Sequence, residues 1–552
     1  MPASTGKQIF PLLILFFMSL VSGLSCAQLS AGEEIILVRP SAWASALQTW
    51  KQYRETQGYE ISEIDAELSQ PELLNQIRSL AGSVPEPGGS PTFLLLVGDV
   101  DPRTEKSIPT FYRKSSAMVQ FGGDERIGTD NPYGDLNEDE IPDLAVGRIP
   151  ADTAEQAQAY LDKVIRYESN PDFSAWRRDV HIIAGVGGFG AIADSVIEMT
   201  TRRFLADRIP GWSELTMTQA STRSHYCPDP WRFSETCINR LNQGGMFWVY
   251  IGHGHVKTLD YVKADDQYLP IFTERNIPAI KSSAPPIAIF LACYTGAFDA
   301  VEDSLAERLT LKPDGPVASI AASRVSGPYG LATLSDGMLK YCYEDRVPTL
   351  GEIVLRSKQK MLADSASNGS DRQPKAMGQM QLITSIAKSL SPADYDLRAE
   401  RLEHVWQMHL LGDPCLRIRY PNEVELQAPA RAQPGEEIVV RGTSKSQAKM
   451  MVEFGFRRDQ IRRELDRVQV GLDTTDGRNA FQSRYDAAND RILVLEQRQV
   501  PSGEFEQALT LPENLSNGRY CVRCYLEGKD DWQVGYHELV VRKPRPTKAS
   551  PQ

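Results

Sequence analysis

Short apolar runs alternate with amphipathic stretches along the first part of the chain. Runs such as 92–97 show no alternation of polar and apolar residues, as expected for strands covered on both faces of a sheet. Stretches such as 153–168 repeat apolar residues at intervals of three and four, which predicts helices. The pattern predicts strands at 34–38, 59–64, 92–99 and 144–146, and helices at 43–56, 71–80 and 153–168. Strands that alternate with helices indicate a parallel α/β sheet.

A second α/β unit follows a polar hinge at 169–172. Its predicted strands lie at 179–184, 215–219, 248–251, 287–292 and 317–322, and its predicted helices at 192–205, 230–241 and 301–311. Gly185, Gly187 and Gly190 have the GxGxxG spacing of a dinucleotide fingerprint. The acidic residue that this fingerprint requires after the next strand is missing at 215–219, so we interpret the glycines as a tight turn.

The periodicity changes again after Glu423. Seven strand-like runs with turns between them start near residues 423, 436, 448, 491, 503, 518 and 532. This number of short strands over the last part of the chain predicts an immunoglobulin-like sandwich. A chain of 552 residues is too long for one core. We therefore predict a signal peptide and three structural units, at 1–27, 28–172, 173–420 and 421–545.

The amino terminus has the pattern of a secretory signal. Lys7 is followed by an apolar run at 9–21 and by small residues that end at Ala27, as at a cleavage site. The run is shorter than the roughly 20 residues that a bilayer requires, which disfavours a membrane span. Cys26 leaves a lipoprotein as an alternative. We predict a secreted, cell-surface or periplasmic protein with no membrane span after signal removal.

Charge and cysteine content restrict the function further. The formal net charge of −12 and the absence of a Lys/Arg block argue against nucleic acid as a partner. Seven cysteines remain after Cys26, and this odd number leaves a free thiol, for which we select Cys293. Cys227 and Cys237 are close enough in sequence to close a loop. Cys521 and Cys524 lie in an alternating strand, which disfavours a redox or zinc pair.

Two predicted strands end in reactive side chains. The run 247–251 leads to His253, and the run 287–292 leads to Cys293. If these strands are parallel neighbours about 4.8 Å apart, their carboxyl ends share one crevice. A thiol beside an imidazole is the minimum for a cysteine nucleophile, and the N–H groups of Gly254 and Cys293 are candidate oxyanion donors. A structural cysteine, His255 as the base, and a zinc site built on His253 and His255 are the alternatives.

An acidic segment precedes the strand at 144–146. Its oxygen-bearing side chains occupy relative positions one, three, five and nine, a spacing that suits Ca²⁺: Asp135, Asn137, Asp139 and Asp143. The segment is not an EF-hand, because Glu140 stands where such a loop requires glycine. A solvated acidic turn and a calcium loop both remain open.

Several short motifs together resemble the gingipain family of secreted cysteine peptidases. The resemblance covers roughly residues 34–420, and it rests on the runs 96–99 (LVGD), 142–148 (PDLAVGR), 252–254 (GHG), 292–293 (AC) and 411–414 (LGDP). The resemblance implies a caspase-like fold of two α/β subdomains with mainly parallel sheets, followed by the sandwich. It also implies His253 and Cys293 as a catalytic dyad, with Asp143 as the acidic partner of the histidine.

The expected function is therefore that of a secreted cysteine endopeptidase, which hydrolyses protein or peptide substrates through an acyl-enzyme. The chemistry requires no cofactor, and a structural calcium in the acidic segment stays a separate hypothesis. Asp143 is a candidate both for the histidine and for calcium. Two other functions remain open: a non-catalytic surface or secretion-associated protein that keeps the fold, and a transpeptidase that uses the same dyad.

Overall fold

The computed structural model describes residues 33–85, 89–100, 107–187, 208–363, 374–458 and 471–544. The predicted signal peptide, Gly190 and the predicted helix at 192–205 lie outside these residues.

A ten-stranded sheet forms the centre of the first 420 residues, with the order β2-β1-β3-β6-β14-β13-β12-β9-β7-β8. Its strands are β1 (Glu34–Arg39), β2 (Glu60–Asp65), β3 (Phe93–Val97), β6 (Ala145–Ile149), β7 (Asp179–Ala184), β8 (Glu214–Gln219), β9 (Phe247–Ile251), β12 (Ile287–Leu291), β13 (Ala318–Ala322) and β14 (Met408–Leu411). Two hairpins lie outside it, β4 (Phe111–Lys114) with β5 (Arg126–Thr129) and β10 (Tyr261–Ala264) with β11 (Gln267–Pro270).

The sheet consists of two parallel halves of opposite direction. The five strands from β2 to β14 are parallel to one another, and so are the five from β13 to β8. β13 and β14 pair antiparallel, with Ala322 opposite Met408. The carboxyl ends of β9, β12 and β13 therefore lie at the same edge as the amino ends of β14 and β6. We call this the catalytic edge.

Helices cover both faces of the sheet. They are α1 (Gln48–Thr56), α2 (Gln70–Ala81), α3 (Asn131–Gly134), α4 (Ala154–Ser169), α5 (Phe233–Gln243), α6 (Leu305–Leu311), α7 (Pro328–Leu339), α8 (Leu350–Ala363), α9 (Pro374–Leu390) and α10 (Leu397–Gln407). Short 3-10 turns lie at Ser41–Trp43, Met118–Phe121, Ala175–Arg178, Pro230–Arg232 and Glu274–Ala279, and a π turn lies at Lys340–Glu344. Successive strand residues point to opposite faces. Val249 and Trp248 accordingly belong to two different apolar clusters.

A buried ion network joins the amino-terminal helices to the end of β14. Arg54 of α1 donates to Glu168 of α4 at 2.8 Å and to Asp413 at 2.7 Å, and all three side chains are buried. Trp50 Nε1 also donates to Asp413, at 2.7 Å. Asp413 is the acidic residue of the LGDP run, so this motif has a structural role in the fold.

The carboxyl-terminal region forms two further sheets. A six-stranded sheet has the order β15-β22-β21-β18-β19, with β16 paired to β22, and a two-stranded sheet pairs β17 with β20. The strands are β15 (Asn422–Glu423), β16 (Arg431–Ala432), β17 (Glu437–Ser444), β18 (Ala448–Phe456), β19 (Ile492–Val500), β20 (Gly503–Thr510), β21 (Gly518–Gly528) and β22 (Trp532–Val541). All seven predicted strand runs are confirmed. β16 and the helix α11 (Thr475–Asn489) were not predicted.

Helix α11 covers the outer edge of β8 in the large sheet. Asn489 accepts a hydrogen bond from Met217 N at 2.8 Å and donates one to Met217 O at 3.0 Å. The hydroxyls of Tyr485 and Thr218 lie 2.8 Å apart. An uncovered edge strand presents unpaired N–H and C=O groups to other chains. The carboxyl-terminal region therefore closes one edge of the large sheet.

The predicted fold class is confirmed in its main features: a mixed α/β region with a large, mostly parallel sheet, and a separate β-rich region. The structure adds how the sheets of the two predicted subdomains are joined. β14 extends the amino-terminal half and pairs antiparallel with β13, so one continuous sheet spans both halves.

Candidate active site

His253 and Cys293 occupy equivalent positions after two neighbouring parallel strands. Ile251 of β9 and Leu291 of β12 are register partners, and each reactive residue follows its partner by two positions. The pairing continues beyond the strands, because Gly252 N donates to Leu291 O at 3.3 Å. The structure therefore brings the histidine turn and the cysteine turn together at the catalytic edge.

Gly254 shows how closely the two turns approach. A Cβ atom at this position would lie 2.7 Å from Cys293 O, 2.7 Å from Thr295 Cγ2 and 3.0 Å from Ala292 Cβ. Contacts this short, one of them to a backbone oxygen, leave no room for a side chain unless the two turns move apart. The glycine after the histidine is thus required by packing against the cysteine turn, and a larger residue would separate His253 from Cys293.

Cys293 is half-buried, whereas His253 is exposed at the mouth of the site. Ser326 N donates to Cys293 Sγ at 3.3 Å, and Ser326 O lies 3.8 Å from the sulfur. Burial raises the pKa of the Cys293 thiol, while the N–H groups of Ser326 and of Cys293 itself lower it. Tyr294, directly after the cysteine, has a φ of 56°, a left-handed conformation that non-glycine residues adopt at a cost. The nucleophile turn is therefore a strained turn held by its surroundings.

An ion pair ties this turn to the amino-terminal half of the protein. Arg324 donates to both carboxylate oxygens of Asp299, at 2.8 and 2.5 Å. Arg324 Nε also donates to Arg126 O in β5 at 2.8 Å, and Arg324 O accepts from Tyr294 N at 3.2 Å. A bidentate guanidinium–carboxylate pair fixes direction as well as distance. Arg324 thus connects the residue after Cys293 with the β4–β5 hairpin.

A histidine on α10 holds the segment that contacts the sulfur. Gly327 N donates to His404 Nε2 at 3.0 Å, and His404 Nδ1 lies 2.6 Å from Glu400 O. Because Nε2 accepts a hydrogen bond, the ring is neutral and its proton is on Nδ1. His404 therefore anchors Gly327 and, through the same peptide unit, Ser326.

Two backbone N–H groups, those of Gly254 and Cys293, belong to the turns that pack against each other. In the described part of the chain, Gly254 N has no hydrogen-bond acceptor, and the N–H of Cys293 is directed toward its own thiol. Gly254 itself forms an antiparallel bridge with Leu259, which holds its peptide plane. Both amides are thus available to an oxygen atom placed beside the sulfur.

Asp143 lies elsewhere on the catalytic edge, which corrects the expectation that it contacts His253. It precedes β6, and three strands separate β6 from β9, a distance of about 19 Å at the usual strand spacing. Its carboxylate accepts from Leu136 N at 2.9 Å. Burial raises the pKa of Asp143, and the charges of Asp139 and Asp135 raise it further.

The acidic segment closes on itself through backbone hydrogen bonds. Asp135 accepts from the N–H groups of Asp139 and Glu140 at 3.2 and 2.9 Å, and Asn137 accepts from Asp139 N at 3.0 Å. Asp139 in turn accepts from Ile141 N at 2.9 Å. Within the described ranges, no group of three or more Asp, Glu, His or Cys side chains is arranged to hold a metal ion. This also applies to the zinc alternative at His253 and His255.

The other cysteines differ from Cys293 in exposure. Cys227 and Cys237 are free thiols rather than a disulfide, and burial raises the pKa of Cys227 to about 12. Six cysteines among the described residues are buried free thiols: Cys227, Cys237, Cys342, Cys415, Cys521 and Cys524. A reactive cysteine requires access and a thiolate. Cys293 alone among these seven is half-buried rather than buried.

Sequence reasoning missed the residues that support the two turns. Ser326, Arg324, Asp299 and His404 belong to no motif. Asp260 was also missed: its carboxylate accepts from Val186 N at 3.1 Å, beside Gly252. Charged residues at the ends of apolar strands were the only available signal.

A cysteine and a histidine at the ends of adjacent parallel strands, on a sheet covered by helices, define the class of cysteine-type hydrolases. The chain belongs to peptidase family C25, the gingipain family, whose profile matches residues 28–419. It is therefore a cysteine-type peptidase, and the predicted family is confirmed. No curated protein sequence matches the chain.

Solved structures of the same fold include gingipains. The crystal structure of the Arg-specific cysteine proteinase gingipain R is 15% identical, covers 93% of this chain and 98% of its own, and has a TM-score of 0.50. The complex of the pro- and mature domains of RgpB from Porphyromonas gingivalis is 15% identical, covers 92% of this chain and 100% of its own, with a TM-score of 0.50. At this identity the similarity concerns the fold.

Proposed function

We propose that the protein is an exported cysteine endopeptidase in which His253 and Cys293 form the catalytic dyad. The observation that carries the proposal is the shared register of their strands, with both residues two positions beyond a paired Ile251 and Leu291. The contact of Gly254 with the cysteine turn supports it. Peptide substrates follow from the family.

The proposed reaction begins with proton transfer from Cys293 to the His253 imidazole. Burial favours the thiol over the thiolate, so the histidine acts as a general base during attack rather than as a permanent imidazolium partner. The sulfur forms a bond to the scissile carbonyl carbon, and the carbonyl oxygen becomes an oxyanion. His253 then donates its proton to the leaving amine as the C–N bond breaks, which leaves an acyl-enzyme on Cys293.

The N–H groups of Gly254 and Cys293 are the proposed oxyanion donors. Donors already directed at the developing charge stabilise it without reorganisation, and removal of one such donor typically costs about 10²–10³ in kcat. Water, activated by His253, then attacks the thioester and regenerates the thiol. No metal ion enters any of these steps.

Export is proposed from the amino-terminal sequence, which matches a secretory signal at 1–27. No helix among the described residues is long and apolar enough to span a bilayer. A secreted, cell-surface or periplasmic location is the corresponding proposal.

Calcium is proposed only as a structural ion of the segment 135–143, with Asp135, Asn137 and Asp139 as its ligands and no part in catalysis. Their oxygens already accept backbone N–H groups, so the loop has its own internal support. Because this segment contains Asp143 and not His253 or Cys293, chelation is expected to leave the initial rate of cleavage unchanged.

The proposal is tested by incubating the purified protein with a peptide library and identifying products by mass spectrometry. We expect hydrolysis that iodoacetamide abolishes and that EGTA leaves unchanged. No product is expected to carry an added amine acceptor such as glycine amide. Absence of cleavage would favour the non-catalytic alternative, and ligated products would favour the transpeptidase. A rate that EGTA lowers and Ca²⁺ restores would contradict the independence of catalysis from calcium.

A further inference from the structure

The hydroxyl of Tyr250 lies at the junction of three segments beside the histidine turn. It donates a hydrogen bond to His253 O at 2.7 Å, and it accepts one from Asp260 N at 3.4 Å. The ring belongs to β9 and is fully buried in an apolar cluster with Trp248 and Phe290. A rigid, buried strand residue thus holds the backbone of an exposed histidine three positions later.

Two glycines on neighbouring strands leave room for this hydroxyl. A Cβ on Gly252 would lie 2.7 Å from Tyr250 Oη, and a Cβ on Gly185, which follows β7, would lie 2.7 Å from the same atom. The two positions belong to different segments, yet both are restricted by one oxygen atom. Gly185 is also the first glycine of the GxGxxG run, so packing explains a residue that resembled part of a nucleotide fingerprint.

The Tyr250 hydroxyl remains a donor at any working pH. Burial raises the pKa of Tyr250 well above its ordinary value, and the nearby charge of Asp260 raises it further. The hydrogen bond to His253 O is therefore not lost by ionisation of the phenol. If the reaction rate of a Tyr250 variant depends on pH differently from that of the wild type, the difference therefore reports on the ionisation of groups other than Tyr250.

We propose that Tyr250 is a positioning residue that holds the His253 backbone so that the imidazole meets Cys293. His253 lies between Gly252 and Gly254, whose lack of side chains gives the backbone around the histidine more conformational freedom than other residues would. The Tyr250 hydroxyl supplies a fixed point at the His253 carbonyl, one bond from the Cα that carries the imidazole side chain. This inference rests on the proposed dyad. Misplacement of a catalytic group by about 1 Å costs roughly 10²-fold in rate.

Tyr160, on helix α4, provides a matched control because its hydroxyl bonds backbone groups beside strands of the same sheet. Its hydroxyl donates to Val317 O at 2.9 Å and accepts from Asp413 N at 2.9 Å. It too is fully buried, and a Cβ on Gly412 would lie 2.6 Å from it. The two tyrosines therefore share burial, bonding pattern and a glycine neighbour. Tyr160 bonds the residue before β13, at the edge opposite His253 and Cys293.

The test compares Tyr250→Phe with Tyr160→Phe in the full chain. We expect Tyr250→Phe to lower kcat about tenfold to a hundredfold with KM changed less than twofold. Tyr160→Phe is expected to keep the wild-type kcat. The two variants are expected to lower the melting temperature by similar amounts. Equal kcat values for wild type and Tyr250→Phe would overturn the inference, and so would an equal loss of kcat in Tyr250→Phe and Tyr160→Phe.

A second readout does not depend on turnover. The rate of Cys293 alkylation by iodoacetamide is measured against pH for wild type, Tyr250→Phe and His253→Asn. The Tyr250→Phe profile is expected to shift toward that of His253→Asn, and a profile that matches wild type would contradict the inference. If the wild type cleaves no peptide, the proposed function fails, while this profile still tests the positioning role.

Gly185→Ala serves if Tyr250→Phe does not fold, because its Cβ would lie 2.7 Å from the Tyr250 hydroxyl and would displace that hydroxyl, together with its ring, from His253 O. It is expected to change the alkylation profile in the same direction as Tyr250→Phe. A Gly185→Ala protein with wild-type kcat and profile would overturn the inference.

Discussion

Replacement of Cys293 by alanine is expected to abolish peptide hydrolysis, with a loss of at least about 10⁴-fold in kcat. Ser326, the neighbouring residue with a hydroxyl, contacts the sulfur through its backbone while its hydroxyl donates to Arg324 O at 3.3 Å, so we expect it not to replace the thiol. The change removes one atom from a half-buried site, so the fold is expected to be retained. Turnover of a peptide selected from the cleavage profile measures the effect.

Cys342→Ala is the matched control for this experiment. Cys342 is a buried thiol whose sulfur contacts the Tyr420 hydroxyl at 3.7 Å, and it belongs to the apolar core rather than to the catalytic edge. Its replacement is expected to leave kcat unchanged. Residual activity above a few per cent in Cys293→Ala would show that another group forms the acyl-enzyme.

Replacement of Arg54 by leucine is expected to lower the free energy of unfolding by about 3–5 kcal/mol. The guanidinium neutralises two fully buried carboxylates, Glu168 and Asp413, and its loss leaves both without their cation. The charges of these two carboxylates hold the pKa of Arg54 well above its ordinary value, against the effect of burial. Denaturant unfolding followed by tryptophan fluorescence measures the change.

Arg39→Leu is the control for the cost of burial. Arg39 also pairs with a carboxylate, Glu63, but the two side chains are 15% and 26% exposed. An ion pair in contact with solvent contributes at most about 1 kcal/mol. Equal losses in the two variants would contradict the assignment of the Arg54 network as a buried joint between α1, α4 and the end of β14.

The catalytic pair was predictable from sequence because its signal is local. Apolar runs without polar alternation predict buried strands, and the residues directly after them lie at a sheet edge. β9 and β12 are adjacent and in register, which supports the proposed pairing of His253 with Cys293. The seven strands after residue 421 were predictable for the same reason, since alternation within each run is a local property.

Strand order is not a local property, and the expectation for Asp143 failed for that reason. Its motif precedes an evident strand, but the position of β6 in the sheet depends on β14, which comes from the far end of the catalytic region. β14, β13 and β12 all separate Asp143 from the histidine strand. The short run 408–411 contains no residue that indicates which strands it pairs with.

The supporting residues of the site were also beyond sequence reasoning. Ser326, Arg324 and His404 act through backbone groups of residues close to Cys293, and such contacts leave no pattern of residue types. Tyr250 is one apolar position among five in β9, and only the structure distinguishes its hydroxyl from the rest of the run. The glycines at 185, 252 and 254 are evident in the sequence, but the contacts that restrict these positions to glycine are made between separate segments.

The most direct test of the dyad is the location of a substrate-derived label. A peptidyl acyloxymethyl ketone that carries the preferred cleavage sequence is added to wild type and to His253→Asn, and the modified residue is identified by peptide mapping. We predict a thioether on Cys293, on none of the six buried cysteines, and formed at least about 10²-fold more slowly without the histidine. A label on another residue of the active protein, or an equal rate in the two proteins, would contradict the account.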